Sequence, residues 1–193
     1  MKRVVLLTFV ALMTLPMCAL AQQVDSSSKS WGIIAKGGAY LGGEYYVEPK
    51  MPYHWYETDL GLFSGLELEA ILARSFSAGF FVHSVFTSSG RFDGDITIMT
   101  MGLTLKGRID LGSVELRPGA ALGYQISAIE DSNLDNVTGF SPGAMVQVAY
   151  PLQNGHAVVG EVGFITQPIG GNDQIDLTFG LHFYLALGYE FGG

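Results

Sequence analysis

From residue 31 onward, apolar and polar positions alternate with a period of two over stretches of ten or more residues, the spacing that puts every second side chain on one face of a β-strand. In residues 113–127, Val114, Leu116, Pro118, Ala120, Leu122, Tyr124 and Ile126 share one face. Glu115, Arg117, Gly119, Ala121, Gly123, Gln125 and Ser127 share the other. The last segment alternates in the same way, which predicts one phase throughout, with Ile175, Leu177, Phe179, Leu181, Phe183, Leu185, Leu187, Tyr189 and Phe191 opposite Thr178, Gly180, His182, Tyr184, Ala186, Gly188 and Glu190. The same test along the chain predicts eight strands, at 31–40, 60–72, 75–86, 96–109, 113–127, 138–150, 156–166 and 175–191. Helices are not expected, because glycine recurs every few residues and weakens them. Some residues break the pattern. Ile34, Phe63, Ile71, Phe81, Val85, Met145, Val159 and Ile165 fall on the polar side, and Ile96 and Ile98 are out of phase with Met99, Met101, Leu103 and Leu105, which predicts a β-bulge near residue 98.

The links between these strands alternate between long and short, as expected of a membrane barrel with short turns at one end and longer loops at the other. One face is almost purely aliphatic and aromatic, whereas the second mixes glycine, serine, threonine, glutamine and charges of both signs. A narrow lumen demands small residues and a water-facing exterior does not, so the apolar face is assigned to lipid and the fold class is all-β, an eight-stranded antiparallel up-and-down transmembrane β-barrel. The strands exceed the roughly 9–11 residues a tilted spanning strand needs. Trp31, Phe76, Tyr150, Tyr189 and Phe191 gather at the short-turn end and Phe86, Tyr124, Phe140 and Phe164 toward the long-loop end, as interfacial aromatic girdles would.

Composition narrows the function classes. The formal net charge of -8 disfavours nucleic acid as a partner, and charged residues reach only 15%. Residues 1–21 carry Lys2 and Arg3, an apolar run from Val4 to Leu12, and Ala19-Leu20-Ala21, the layout of a cleaved signal peptide, which leaves 22–193 as one barrel domain. Cleavage discards Cys18, the only cysteine, and with it any disulfide, zinc-thiolate or thiol-nucleophile chemistry.

The glycine-rich opening Gly37-Gly38-Ala39-Tyr40, the segment Val114 to Tyr124 and the ending Leu187-Gly188-Tyr189-Glu190-Phe191 resemble the small eight-stranded outer-membrane β-barrel family, in particular the barrel-domain proteins of Bacteroidetes. The resemblance covers the chain after residue 21 and specifies architecture more than activity. It implies export through the periplasm to the outer membrane, contact with its lipid and lipopolysaccharide, and insertion by the barrel assembly machinery. Tyr189 and Phe191 would form the insertion signal, although Gly192 and Gly193 follow the usual terminal Phe and Ala186 stands where Gly is common.

Nine charges fall on the lumen face: Lys36, Lys106, Arg108 and Arg117 against Glu67, Glu69, Glu115, Glu161 and Glu190. A barrel of this size is only wide enough for side chains to fill, so these groups are expected to pair and plug the interior rather than line an ion path. His83 and His182 are read as members of that polar interior. Strict alternation turns Ser84 away from His83, so no serine hydrolase pair is expected there. Asp131-Ser132-Asn133-Leu134-Asp135-Asn136 has oxygen ligands at alternate positions, but Asn136 and Pro142 stand where a calcium loop needs Gly and Glu, so a solvated loop is expected, with no metal and no cofactor. The first long link, 41–59, holds Tyr45, Tyr46, Tyr53, Trp55 and Tyr56 among acidic residues and is the candidate loop for an extracellular partner. The expected function is structural or surface-interacting and not enzymatic. A lipid-modifying barrel and a soluble secreted barrel carrying an apolar ligand are the alternatives.

Overall fold

The computed structural model describes residues 30–48, 55–90, 92–130, 135–152, 155–173 and 176–192. These form β1 (Trp31–Tyr40), β2 (Gly43–Glu48), β3 (Trp55–Thr58), β4 (Gly61–Ala73), β5 (Phe76–Ser89), β6 (Phe92–Gly107), β7 (Ile109–Asp110), β8 (Glu115–Ile129), β9 (Val137–Pro151), β10 (Ala157–Gln167), β11 (Ile169–Gly171) and β12 (Asp176–Gly192). The signal-peptide segment 1–21 lies outside the described residues.

The long strands pair in the order β1-β4-β5-β6-β8-β9-β10-β12, and β12 returns to β1, so the antiparallel sheet closes on itself. The seam runs from Gly32 opposite Gly192 to Tyr40 opposite Tyr184. Closure removes both sheet edges, so each long strand has a neighbour on both sides. The eight expected strands are all present, most within two residues of the expected bounds, but β5 and β6 run further at the ends that join them. Thr87 pairs with Ile96 and Ser88 with Asp95, so the long link expected between β5 and β6 shrinks to the two residues between Ser89 and Phe92.

The first long link is also mostly strand. β2 and β3 pair with each other in the register that β1 and β4 already share, since Tyr40 faces Gly61 and Gly43 faces Thr58. β2 then continues along β12, with Tyr45 opposite Phe179. One hairpin thus extends the barrel at its long-loop end. At that level the facing residues change phase. Below it Tyr40, His182 and Tyr184 are buried, whereas above it Tyr45, Leu177 and Phe179 are. β12 takes one more residue than β10 between the pairs Ile165–His182 and Gln167–Phe179, which is a β-bulge. Gly42, with φ of 90°, lies at the same height in β12's other neighbour, where a side chain would be strained.

Two expectations are corrected here. The single phase assigned to 175–191 does not hold, because the bulge turns Leu177 and Phe179 inward to near-complete burial. The bulge expected near residue 98 does not form: β6 keeps unbroken register from Ile96 to Lys106 against both β5 and β8. Ile96 and Ile98 simply point inward. Both departures share a cause, since the long-loop half of the interior is apolar and accepts such residues. Tyr40, Tyr45, Phe63, Val85, Ile98 and Phe179 belong to one buried cluster there. Phe63, Phe81, Val85, Met145, Val159, Ile165 and Ile34 are buried as well, while Ile71 is half-buried.

The outer face carries the apolar residues that alternation assigned to it. Leu62, Leu103, Leu122, Val146, Val162 and Leu185 all lie exposed, one each from six different strands. Tyr124 and Phe140 pair directly toward the long-loop end, and Val158 pairs with both Tyr150 and Tyr189 toward the other. A water-facing surface would not hold so continuous an apolar belt. Leu122→Arg is therefore expected to destabilise the protein in lipid vesicles by roughly 2–4 kcal/mol. Urea titration with the folded fraction read from gel mobility measures this, and an unchanged midpoint would mean that this face does not meet lipid.

Candidate functional site

The chemistry of this chain lies inside the barrel, and the register of the strands explains how long side chains fit there. Lys36 on β1 faces Gly188 on β12, where a β-carbon would come within 2.9 Å of the lysine Cγ. Lys106 on β6 faces Gly119 on β8, where one would lie 2.8 Å from its Cγ. Tyr184 on β12 lies across Gly163 on β10, where one would be 2.6 Å from its Cζ. Glycine on the inner face thus makes room for a long polar neighbour, which accounts for the small residues that alternate with charges along these strands.

All nine predicted lumen charges meet in one chain of alternating sign. Glu161 takes Lys36 Nζ at 2.8 Å, and the same ammonium lies 3.3 Å from Glu67. Glu67 continues to Lys106 at 2.8 Å, and Lys106 to Glu69 at 3.0 Å. Glu69 accepts from Arg108 at 3.2 Å, and Arg108 donates to Glu115 at 2.9 Å. Glu115 also accepts from Arg117 Nε, and Arg117 Nη1 donates to Glu190 at 2.8 Å. The charges come from β1, β4, β6, β8, β10 and β12, with Arg108 just past the end of β6. Side-chain exposure is at most 2% for all but Arg108 and Glu115.

Uncharged groups complete this network, and periodicity had not singled them out. Gln147 on β9 accepts from Lys106 at 3.0 Å and donates to Glu161. Thr104 donates to Glu67 at 2.6 Å, and the Tyr184 hydroxyl donates to Glu161 at 2.8 Å. Their sequence signal was phase: Thr104 and Tyr184 stand on the same face as Lys106 and Glu190 of their own strands, and Gln147 stands on the inward face of β9, a strand without charges. Carboxylates buried this deeply need both opposite charge and filled lone pairs, and Gln147, Thr104 and Tyr184 supply the latter.

Above the charges lies a layer of rings. Tyr184 stacks on Phe63 at a centroid distance of 4.2 Å and an interplanar angle of 5°. His83 packs against Phe81 and Phe63 at 4.5 and 5.0 Å. Both histidines lie in the interior, as expected, but only His182 is hydrogen-bonded by its neighbours. His182 Nε2 donates to the Glu44 carbonyl at 3.1 Å, which leaves Nδ1 to accept from the Tyr40 hydroxyl. His83 is buried with neither ring nitrogen bonded to protein, and the hydroxyl of Thr100 across the ladder is also unbonded. Ser84 lies on the opposite side of β5 and pairs with Ser64, so it does not meet His83.

The candidate binding loop is rearranged by the β2–β3 hairpin. Tyr45 points inward, is 1% exposed and shares a hydrogen bond of 2.8 Å with Ser89, so it offers no surface to a partner. Tyr46 and Tyr56 are half-buried, and Trp55 opens β3. Tyr53 lies outside the described residues, as do positions 131–134 of the loop weighed for calcium. Tyr189 and Phe191 sit on the outer face with their rings 4.7 Å apart. Among the described residues, no group of three or more His, Cys, Asp or Glu side chains is placed to hold a metal ion.

A closed barrel of eight long strands, apolar outside and filled with side chains within, is the fold of the small outer-membrane β-barrel proteins. Solved structures of that class superimpose on it. The chain is similar to the neisserial surface protein A, NspA, with a TM-score of 0.60 and 11% identity over 86% of this chain and 100% of the other. It is similar to the outer membrane protein OprG from Pseudomonas aeruginosa, with a TM-score of 0.59 and 14% identity over 88% and 100%. A major outer membrane protein from Thermus thermophilus matches with a TM-score of 0.54 and 14% identity over 86% and 100%. No protein-family profile and no curated protein sequence matches the chain.

Lys36 serves two buried carboxylates at once, so Lys36→Met should strand both. The expected loss is about 3–5 kcal/mol of unfolding free energy in vesicles, and adding Glu161→Gln should restore part of it. Equal midpoints for wild type and Lys36→Met would show that the chain of charges is not a connected unit.

Proposed function

We propose that this protein is an outer-membrane barrel closed to solutes, with a structural or surface-interaction role and no enzymatic activity. The single observation that carries this reading is the filled interior, in which nine alternating charges occupy one half and stacked rings the other. A pore would need a continuous aqueous path, and barrels that keep one generally have many more strands. The apolar outer belt supports an outer-membrane location in contact with lipid and lipopolysaccharide. Tyr189 and Phe191 on the outward face of the last strand support insertion by the barrel assembly machinery. The barrel type is the one common in Bacteroidetes. An extracellular partner would meet the outward side of the 41–59 hairpin, where Glu44, Glu57 and Asp59 are exposed, rather than Tyr45. Ser84 facing away from His83 disfavours the lipid-modifying alternative, and the outer belt disfavours the soluble one.

Fractionation and planar-bilayer recording test this together. The protein should partition with outer membranes, migrate differently on a detergent gel before and after boiling, and give no steady current. Cells lacking it should keep their lipid A acyl pattern. Recovery in the soluble periplasm, a stable conductance of the wild type, or an altered acyl pattern would each contradict the proposal.

A further inference from the structure

Lys106 does more than join two carboxylates. Its amine also touches the side-chain carbonyl of Gln147 at 3.0 Å, although β6 and β9 are not neighbours and β8 lies between them. The lysine crosses β8 over Gly119, where a β-carbon would come within 2.8 Å of its Cγ. Partners fix which way the Gln147 amide points, since an ammonium can only donate to Oε1 and the Glu161 carboxylate can only accept from Nε2. Glu67 lies against both nitrogens. One of its oxygens is 2.8 Å from Lys106 Nζ and the other 3.5 Å from Gln147 Nε2. Lys106, Gln147 and Glu67 are each at most 1% exposed. An amine, an amide carbonyl and a carboxylate that reaches both the attacking and the departing nitrogen together make up the groups of an amide exchange.

We infer that the chain joins Lys106 to Gln147 by an isopeptide bond once the barrel has closed, with Glu67 as the catalytic acid and base. The ammonium first passes a proton to Glu67, which leaves a neutral amine beside a neutral carboxylic acid. In an interior without bulk water this removes the cost of holding that ion pair away from solvent. The Nζ lone pair then attacks Gln147 Cδ, and the carbonyl π electrons move to Oε1. As they return, the bond from Cδ to Nε2 breaks, and Glu67 gives its proton to Nε2 and takes one from Nζ. One ammonia leaves, Glu67 stays protonated, and a bond from Cδ to Nζ replaces the one that broke. No oxidant or further reactant is consumed. One cation and one anion disappear together, so the net charge of the interior is unchanged. The fold holds the reacting groups in contact, which raises their effective concentration, and burial keeps water from competing for the amide. An unfolded chain has neither advantage. The step is a single turnover on the chain itself, it staples β6 to β9 across the lumen, and the ion pairs of Lys106 are the arrangement that precedes it.

Intact-mass spectrometry of the full chain, first held unfolded in urea and then folded into lipid vesicles, tests this. The chain in urea should have the mass of its sequence, and the folded chain should be lighter by one ammonia. Protease digestion of the folded form should release a branched peptide that joins Lys106 to Gln147. Lys106→Arg and Glu67→Gln, each shown to be folded by gel mobility before and after boiling, should keep the full mass. Should a variant fail to fold, the wild-type mass and digest decide alone. A folded wild type at full mass, an ammonia loss that digestion maps to another residue, or the same loss in Lys106→Arg would overturn the inference. Cross-linking of Glu67→Gln at the wild-type rate would overturn the role given to Glu67.

Discussion

The constraint on which the structure depends is closure. A sheet that leaves an edge unpaired would expose backbone N–H and C=O groups, and within hydrocarbon each such group costs several kcal/mol. The seam between β1 and β12 removes that edge over nine consecutive residue pairs, from Gly32–Gly192 to Tyr40–Tyr184. Closing at eight strands then fixes the radius, and a small radius leaves an interior that side chains have to fill. The inward residues follow from this geometry.

Two filling strategies share the interior. Near the short turns, long charged side chains arch over glycines on the adjacent strand, as Lys36 does over Gly188 and Lys106 over Gly119. Burying these charges singly would be costly, but in alternation every member except the terminal Glu161 and Glu190 lies between two opposite charges, and Gln147, Thr104 and Tyr184 occupy remaining acceptor positions. Toward the long loops, rings and aliphatic side chains do the same work without charge. Tyr184 joins the two regions, since its ring stacks on Phe63 while its hydroxyl bonds Glu161. His83 sits at that boundary with both nitrogens unbonded to protein, a place where buried water would be stabilising.

Much of this was legible in the sequence, for a physical reason. A two-faced barrel ties every residue's environment to a period of two, so strand existence, the inward charges and the outward apolar belt could be read from alternation alone. What alternation missed depended on partners distant in sequence. The bulge in β12 is set by its register against β10, and only that pairing shows that Leu177 and Phe179 turn inward. Ile96 and Ile98 looked like phase errors because the lumen was taken as polar along its whole height, whereas their level is apolar. Tyr45 looked like a surface anchor because a link rich in tyrosine was read as a loop, although its register continues that of β1. The order in which nine charges connect was likewise not in the sequence, since it depends on which strands lie side by side.

The account stands on the division between an outer face in lipid and a filled inner face. The most direct test places a nitroxide spin label, through a single introduced cysteine, at Leu122 or at its neighbour Ala121 in vesicle-reconstituted protein, and measures collision with oxygen and with a water-soluble nickel chelate. The Leu122 label should collide readily with oxygen and hardly at all with the chelate, and the Ala121 label should be shielded from both. Strong collision of the Leu122 label with the nickel chelate would contradict the assignment of the faces and, with it, the reading of this chain as a membrane barrel.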